Sequence, residues 1–337
     1  MKKNLFFAAA FMLVAGSAMA QGNVSTVDQS GVNQMATVTQ AGASNASEVY
    51  QENRKNMATV VQSGGSNSSS VLQISGSYGN EAYAEQVGEG NSSDQQQGGS
   101  AVGNYAEVIQ EGAGNSALQS QVASSNNNTA LIHQFGEGND ATQYQEVASQ
   151  SNFAHIDQAG SGNIALQDQS FVSGANVAYI NQEGTMNEAT QEQTNVSLAN
   201  SAQIFQNGYW NYGNQYQNNI SALNSALIVQ TGGVNEAYQY QEDLSGFNTA
   251  TVTQSGDFNY ASQDQSMLSG LNSASISQQG DGNNGYQFQS EGADLTATLM
   301  QNGDDNFSDQ YQSGTSHVST VMQNGNSNTS IVTQSNN

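Results

Sequence analysis

The chain contains no cysteine and no proline. Without cysteine there is no disulfide framework and no thiolate for nucleophilic or metal chemistry. Without proline every residue keeps its backbone N–H, which suits a chain whose amides enter ladders from end to end. Positive charge is nearly missing as well: 4 Lys and Arg face 28 Asp and Glu, for a net charge of −24. Such a balance disfavours nucleic acid and anionic lipid surfaces as partners, and it keeps an unassembled chain soluble. Charged residues of both signs make up only 9% of the sequence. Long apolar runs are absent except for Leu5 to Val14, which is too short to span a bilayer.

That short run follows Lys2 and Lys3 and precedes Ala18-Met19-Ala20, a small-x-small cleavage site. Residues 1–20 therefore read as a secretory signal peptide, with the mature chain beginning at Gln21. Loss of Lys2 and Lys3 takes the net charge from −24 to −26. The expectation is export through the periplasm, no membrane insertion and a secreted product. In an oxidising compartment its stability must come from hydrogen bonds and packing alone.

The remainder is one repeat. The unit beginning at Asn152 has fixed residues Asn152, Ala154, Ile156, Gln158, Gly160, Asn163, Ala165, Gln167 and Gln169. Its first Gln column runs from Gln40 to Gln323 with spacings of 22, then 24 nine times, then 23 and 22. Every one of these thirteen Gln residues is followed by Gly two positions on, Asn five positions on and Gln eleven positions on. A half unit, residues 21–33, precedes the thirteen units of 34–337: Asn23, Ser25, Val27 and Gln29 match Asn328, Ser330, Val332 and Gln334.

Fixed and variable residues alternate, and period two means strand. The spacing predicts an all-β chain in which each unit is strand, turn, strand. Gly160 supplies a positive φ in a four-residue connection, Ala159 to Gly162. A second connection of four to six residues absorbs all length variation. Folding the strands face to face sets Asn152 against Gln169, Ala154 against Gln167, Ile156 against Ala165 and Gln158 against Asn163. Large then meets small in the thin core. Rungs stack in parallel about 4.8 Å apart, so identical amides lie above one another and satisfy each other. The predicted fold is a β-solenoid of 13.5 repeats of about 24 residues, cross-β in character. One apolar side chain per rung contributes about 1.5–3 kcal/mol, too little to hold an isolated rung, so only the stack is stable.

Solenoids normally carry capping units. Here the repeat reaches both ends of the sequence, so the expectation is fibre-end contacts through Asn23, Val27 and Gln29 at one end. Val321, Gln323, Asn328, Val332 and Gln334 serve at the other. Head-to-tail contacts of this kind propagate rather than close. The half unit suggests a junction in which the next subunit is turned by half a revolution.

The columns, as in Gln158-Ala159-Gly160-Ser161-Gly162-Asn163-Ile164-Ala165, closely resemble the curlin repeat of bacterial curli-type functional amyloids, over residues 23–334. The resemblance implies a homopolymer at the bacterial cell surface, a nucleator subunit, an outer-membrane secretion pore, and a role in biofilm matrix and adhesion. The regular columns favour the major subunit. Family members usually carry fewer repeats and a separate secretion segment before them, whereas here Gln21 to Gly31 already lies in the repeat register.

No catalytic, phosphate-binding or cofactor motif emerges. His133, His155 and His317 lie far apart in sequence, so they read as solvated or ladder residues rather than metal ligands. Gly/Asp turns such as Gly303-Asp304-Asp305-Asn306 only faintly resemble calcium-binding nonapeptide repeats. An outward column of Tyr50, Tyr144, Tyr216, Tyr240, Phe288 and Tyr311, interrupted by Asp168, Glu192 and Asp264, is either a lateral contact face or simple strand preference. The reading is therefore a self-assembling structural subunit, not an enzyme. The alternative is a monomeric secreted β-solenoid that acts as an adhesin or ligand binder.

Overall fold

The computed structural model describes residues 22–336. The signal peptide read at residues 1–20 lies outside them. The described chain forms 27 strands, numbered β1 to β27 in chain order, with no helix among them. Odd strands make a 14-stranded sheet and even strands a 13-stranded sheet, each in sequence order. All pairings are parallel, each strand lying against the strand two places before and two places after it. This is the predicted β-solenoid of strand-turn-strand rungs, with the half unit supplying β1 (Val24–Val32).

Register follows the columns. In β10 (Thr129–Glu137), β12 (Phe153–Ser161) and β14 (Val177–Thr185), Ala130, Ala154 and Ala178 align, as do Ile132, Ile156 and Ile180, and Gln134, Gln158 and Gln182. A slip of one residue would turn every inward side chain out to solvent, so the alternation itself fixes the pairing. Ile156 and Ala165 join one continuous apolar cluster that runs from Val108 to Val321. A second cluster near the N-terminal end holds Val49, Val60 and Val71, with Val27 and Val38 packed on it. In the unit that carries Gly213 in place of this Ala, a Cβ added there would sit 3.1 Å from Ile204, so the predicted Ile-opposite-Ala facing holds.

Two features of the connections differ from the sequence reading. First, β12 continues through Ser161 and pairs Gly160 with Gly184, so the four-residue connection is in large part ladder. Gly160 has φ +119, and a Cβ there would lie 1.9 Å from the Gly184 carbonyl oxygen. Glycine is thus required by the next rung and not only by the bend. Second, the residue before each following Asn is left-handed whatever its type: Gly162 (φ 65), Met186 (φ 54), Trp210 (φ 56), Val234 (φ 56) and Phe258 (φ 59).

The longer connection contains further left-handed columns. One of them runs Ala148 (φ 62), Val172 (φ 63), Val196 (φ 67), Ile220 (φ 65), Leu244 (φ 63) and Leu268 (φ 60). For L-residues, and for β-branched ones above all, this conformation is unfavourable by roughly 1–2 kcal/mol. It persists because carbonyls and amides of adjacent rungs bond through it, as in Val172 N–H to the Val147 carbonyl at 2.9 Å and Ile220 N–H to the Asn195 carbonyl at 3.0 Å. Ile220 is 56% exposed, so little packing compensates the strain. Replacing Ile220 by Gly is expected to raise the urea midpoint of the refolded chain by about 1 kcal/mol equivalent. An unchanged or lowered midpoint would show that its side chain, not its backbone, dominates.

Candidate functional site

The feature that distinguishes this molecule is its set of buried amide columns, which hold Asn152, Gln158, Asn163, Gln167 and Gln169, while Ala154, Ile156 and Ala165 lie buried beside them and Gly160 lies in the backbone ladder. Gln158 is fully buried. Its Nε2 donates to Gln182 Oε1 at 2.8 Å and to the Asp140 carbonyl at 3.0 Å, while its Oε1 accepts from Gln134 Nε2 at 2.9 Å. Gln167 donates to Gln191 at 3.0 Å and to the His155 carbonyl at 2.9 Å. Gln169 donates to Gln193 at 2.8 Å and to the Phe153 carbonyl at 3.1 Å. One side-chain proton thus ties rung to rung and the other ties sheet to sheet. Asn152 Nδ2 reaches the Gln169 carbonyl at 3.3 Å and Ser173 Oγ at 2.7 Å, confirming the predicted Asn152–Gln169 facing.

The second Asn column, that of Asn163, runs the other way from side chain to side chain. Asn163 Nδ2 donates back to Asn139 Oδ1 at 3.1 Å, and Asn163 Oδ1 accepts the backbone N–H of Asn187 at 3.0 Å. Gln amides therefore donate toward the C-terminal end and the Asn163 column donates side chain to side chain toward the N-terminal end, while Asn152 donates forward to Ser173. Within a column each copy satisfies the groups of the one beside it, which is why so many buried amides are tolerated; the exception is Gln95, which opens its column above Val71 and leaves its Oε1 buried without a partner.

At the ends this chain of donors stops among the described residues. Gln29 donates upward to Gln51 at 2.6 Å, and Asn23 Nδ2 is buried without a partner. At the other end Gln323 and Gln334 donate to the carbonyls of Phe307 and Val318, at 2.9 and 3.0 Å. Asn328 donates back to Asn306 at 2.8 Å. The opening Asn column ends in His317, whose Nε2 is also buried and unpartnered. Val27 packs on the N-terminal cluster and Val332 on the long one, both only partly covered, while Val321 is 7% exposed.

The end rungs also differ in kind from the middle ones. In β1, in β2 (Met35–Ala43) and in β26 (Val318–Asn324) and β27 (Thr329–Ser335), both sheets carry the same small–x–Val–x–Gln pattern. It is Ser25, Val27 and Gln29, then Ala36, Val38 and Gln40, then Ser319, Val321 and Gln323, then Ser330, Val332 and Gln334. Four-residue connections occur on both edges there, as between Gln29 and Gln34 and between Gln312 and His317. Middle rungs instead oppose Ile156 with Ala165 and have one connection of four residues and one of six. A groove at the C-terminal end is lined by Thr320, Val321, Gln323, Ser330 and Val332.

On the outer faces the predicted Tyr column is real. Tyr216 stacks on Tyr240 at 5.3 Å and 6°, and Phe288 on Tyr311 at 5.2 Å and 10°. A second aromatic run escaped the sequence reading because it zigzags between two columns: Tyr212, Tyr238, Tyr260, Tyr286 and Phe307, with centroids 5.2–5.9 Å apart. Its signal is an aromatic alternating between the first and third residues of successive odd strands.

Within the first column Asp168 stands in register with Glu192. Burial, with the neighbouring Glu192 and Glu146 charges, pushes the Asp168 carboxyl up to about 6 against the Ser170 hydroxyl, which works to lower it. Burial also raises Glu192, opposed by Asn218. On the other sheet the histidines do not stay apart as expected. His133 and His155 lie with ring centroids 5.0 Å apart, joined through Asp157. The hydrogen bond to Asp157 raises His133. Burial alone would raise Asp157, but His133, His155 and Tyr179 together hold it well below the usual carboxylate range.

A family model of the curlin associated repeat matches residues 303–335, which are β25 (Phe307–Thr315), β26 and β27 with the turn before them. The chain carries that repeat there, and the same columns continue rung by rung to β1. No curated protein matches the chain.

Two outcomes follow from the geometry. Gln158→Leu removes a donor and an acceptor from Gln182 and Gln134, each left buried at about 1–3 kcal/mol, so a fall of roughly 2–5 kcal/mol is expected in urea unfolding. The same change at outward Gln203 should leave stability within about 0.5 kcal/mol. For Asp168, the folded carboxyl holds its proton above the unfolded value near 4, so the folded state binds more protons between about pH 4 and 6. Stability should rise as pH falls from 7 to 5, and Asp168→Asn should raise the pH 7 midpoint and flatten that rise. Any slope left belongs to Glu192, Glu242 and Asp264, which burial raises, and to His133, all acting with the same sign. The depressed Asp157 acts oppositely, but only at lower pH.

Proposed function

We propose that this chain, whose C-terminal rungs are a curlin associated repeat, is the repeating subunit of an extracellular amyloid-type fibre and acts by assembly rather than by catalysis. The carrying observation is that its two ends present complementary halves of one ladder. The C-terminal end offers Gln323 and Gln334 amide protons and the Asn328 acceptor. The N-terminal end offers the Gln29 and Gln40 oxygens. Parallel strands with open ladder edges recruit further strands.

Export, display at a bacterial surface, a nucleating partner, and a role in matrix and adhesion belong to the same proposal. They are supported by the leader-like residues 1–20 and by the repeat. The lateral aromatic stacks supply a face on which fibres or surfaces can be held. The competing reading, a monomeric adhesin, requires both ends to be covered.

The junction is a half-turn. With β1 of the next subunit over β26, Val24-Ser25-Thr26-Val27-Asp28-Gln29 lies on Val318-Ser319-Thr320-Val321-Met322-Gln323, and the lined groove fills. Strand β2 then covers β27, setting Val38 on Val332 and Gln40 on Gln334. In this register Asn23 lands over His317 and Gln34 over Asn328. Stacking without rotation would place β1 over β27 and leave half a rung empty.

The absence of native cysteine makes this directly testable. Stacked rungs bring outward residues about 4.8 Å apart, within disulfide reach. Under oxidation Thr26→Cys/Thr320→Cys should link subunits into a ladder of oligomers, and Thr26→Cys/Ile331→Cys should not. The opposite result rejects the half-turn but keeps the fibre. A dilute refolded chain that stays monodisperse, with neither pair linking and no fibre reflections near 4.8 Å, rejects the fibre itself.

A further inference from the structure

We propose that His133, His155 and Asp157 form a site for a borderline divalent metal ion, with zinc as the representative probe. Three side chains from two adjacent strands converge: His133 from β10, and His155 and Asp157 from β12. His133 Nδ1 lies 3.2 Å and His155 Nε2 3.1 Å from the same oxygen, Asp157 Oδ1. Ligands at 2.0–2.1 Å around a tetrahedral ion stand about 3.3 Å from one another, so these spacings match the edges of such a site with little movement. All three donor atoms lie within 4.8 Å of one another. Two imidazoles and a carboxylate with one open position are the donor set that zinc and copper accept.

The surroundings are built to hold those donors. Glu107, on β8 (Tyr105–Ala113), accepts from the far nitrogen of His133, with Nε2 to Oε1 at 3.0 Å. That leaves Nδ1 to act as a ligand, the carboxylate–histidine–metal relay that fixes ring and tautomer at many metal centres. Tyr179, on β14, donates to the second oxygen of Asp157 at 2.9 Å and orients the first. The Tyr179 ring packs edge-on to His155 at 5.1 Å. The three ligands are only about one-fifth to one-quarter exposed, so their rotamers are held while one side stays open to water.

His133 and Asp157 occupy one outward column, and His155 is diagonal to His133 across the strand pair. The site therefore exists only in the stacked state, and ion binding must stabilise the stack. It stands on the solenoid alone and holds whether or not the chain polymerises.

The test is zinc titration of the chelator-treated full chain by calorimetry, with cobalt absorbance reporting coordination. One equivalent should bind, and saturating zinc should raise the urea midpoint. His133→Ala and His155→Ala should each weaken binding more than tenfold, Glu107→Gln about tenfold through the lost support, and His317→Ala not at all. Absence of binding, or binding that survives His155→Ala unchanged, overturns the proposal and leaves an ordinary histidine–carboxylate cluster. If an alanine variant loses its β signal, the unsubstituted chain still decides: a midpoint unmoved by zinc overturns the site.

Discussion

A side-chain amide repeated at one rung spacing is the interaction on which everything else here depends. A buried Gln such as Gln158 is a liability in isolation and a tie when Gln134 and Gln182 lie below and above it. That single condition demands parallel pairing, zero offset and near-identical rungs, because any shift leaves two amides unsatisfied at once. The apolar core then needs to be only one Ile or Val wide, since its task is to exclude water from the ladder rather than to carry the fold. The Gln ladders and the Asn163 ladder are opposed: what Gln158 donates upward to Gln182, Asn163 returns downward to Asn139.

The same condition governs the backbone. The Gly160 column cannot carry a Cβ because the next rung's carbonyl occupies that place. Elsewhere the stack dictates φ without regard to residue type, so Trp210, Val234 and Phe258 adopt the left-handed form that Gly162 takes freely. Hydrogen bonds along the corners, each formed only when the neighbouring rung adopts the same φ, hold a strained column together. Local preference is overruled by cooperativity between copies. The result is an exposed apolar ridge of Val172, Val196, Ile220, Leu244 and Leu268 along one edge of the solenoid.

What the sequence discloses and what it hides divide along the same line. Strands, inward faces and facing pairs were legible because they depend on period two and on positions within one unit: Ile156 opposite Ala165, Asn152 opposite Gln169. The extent of the first turn was not, since Gly160 looks like a bend residue and reveals its ladder role only when Gly184 is placed above it. The His133–His155–Asp157 cluster and the zigzag from Tyr212 to Phe307 were hidden for a related reason. Both join different columns across adjacent rungs, and a column-by-column reading treats such residues as strangers.

The contrast between middle and end rungs bears on how the proposed fibre would grow at its ends without misaligning inside. In the middle, Ile156 faces Ala165 and a six-residue corner opposes a four-residue one. Turning such a rung by half a revolution would set the long corner over the short one and Ile over Ala, breaking the ladders and opening voids. Internal rungs are therefore locked in one orientation. At the ends, Val27, Val38, Val321 and Val332 make the two sheets equivalent, and both corners are short. There a half-turn keeps Val over Val and Gln over Gln. Asymmetry within the chain thus opposes slippage, and local symmetry at its ends is what the proposed half-turn junction uses, with β1 of one molecule over β26 of the other and β2 over β27.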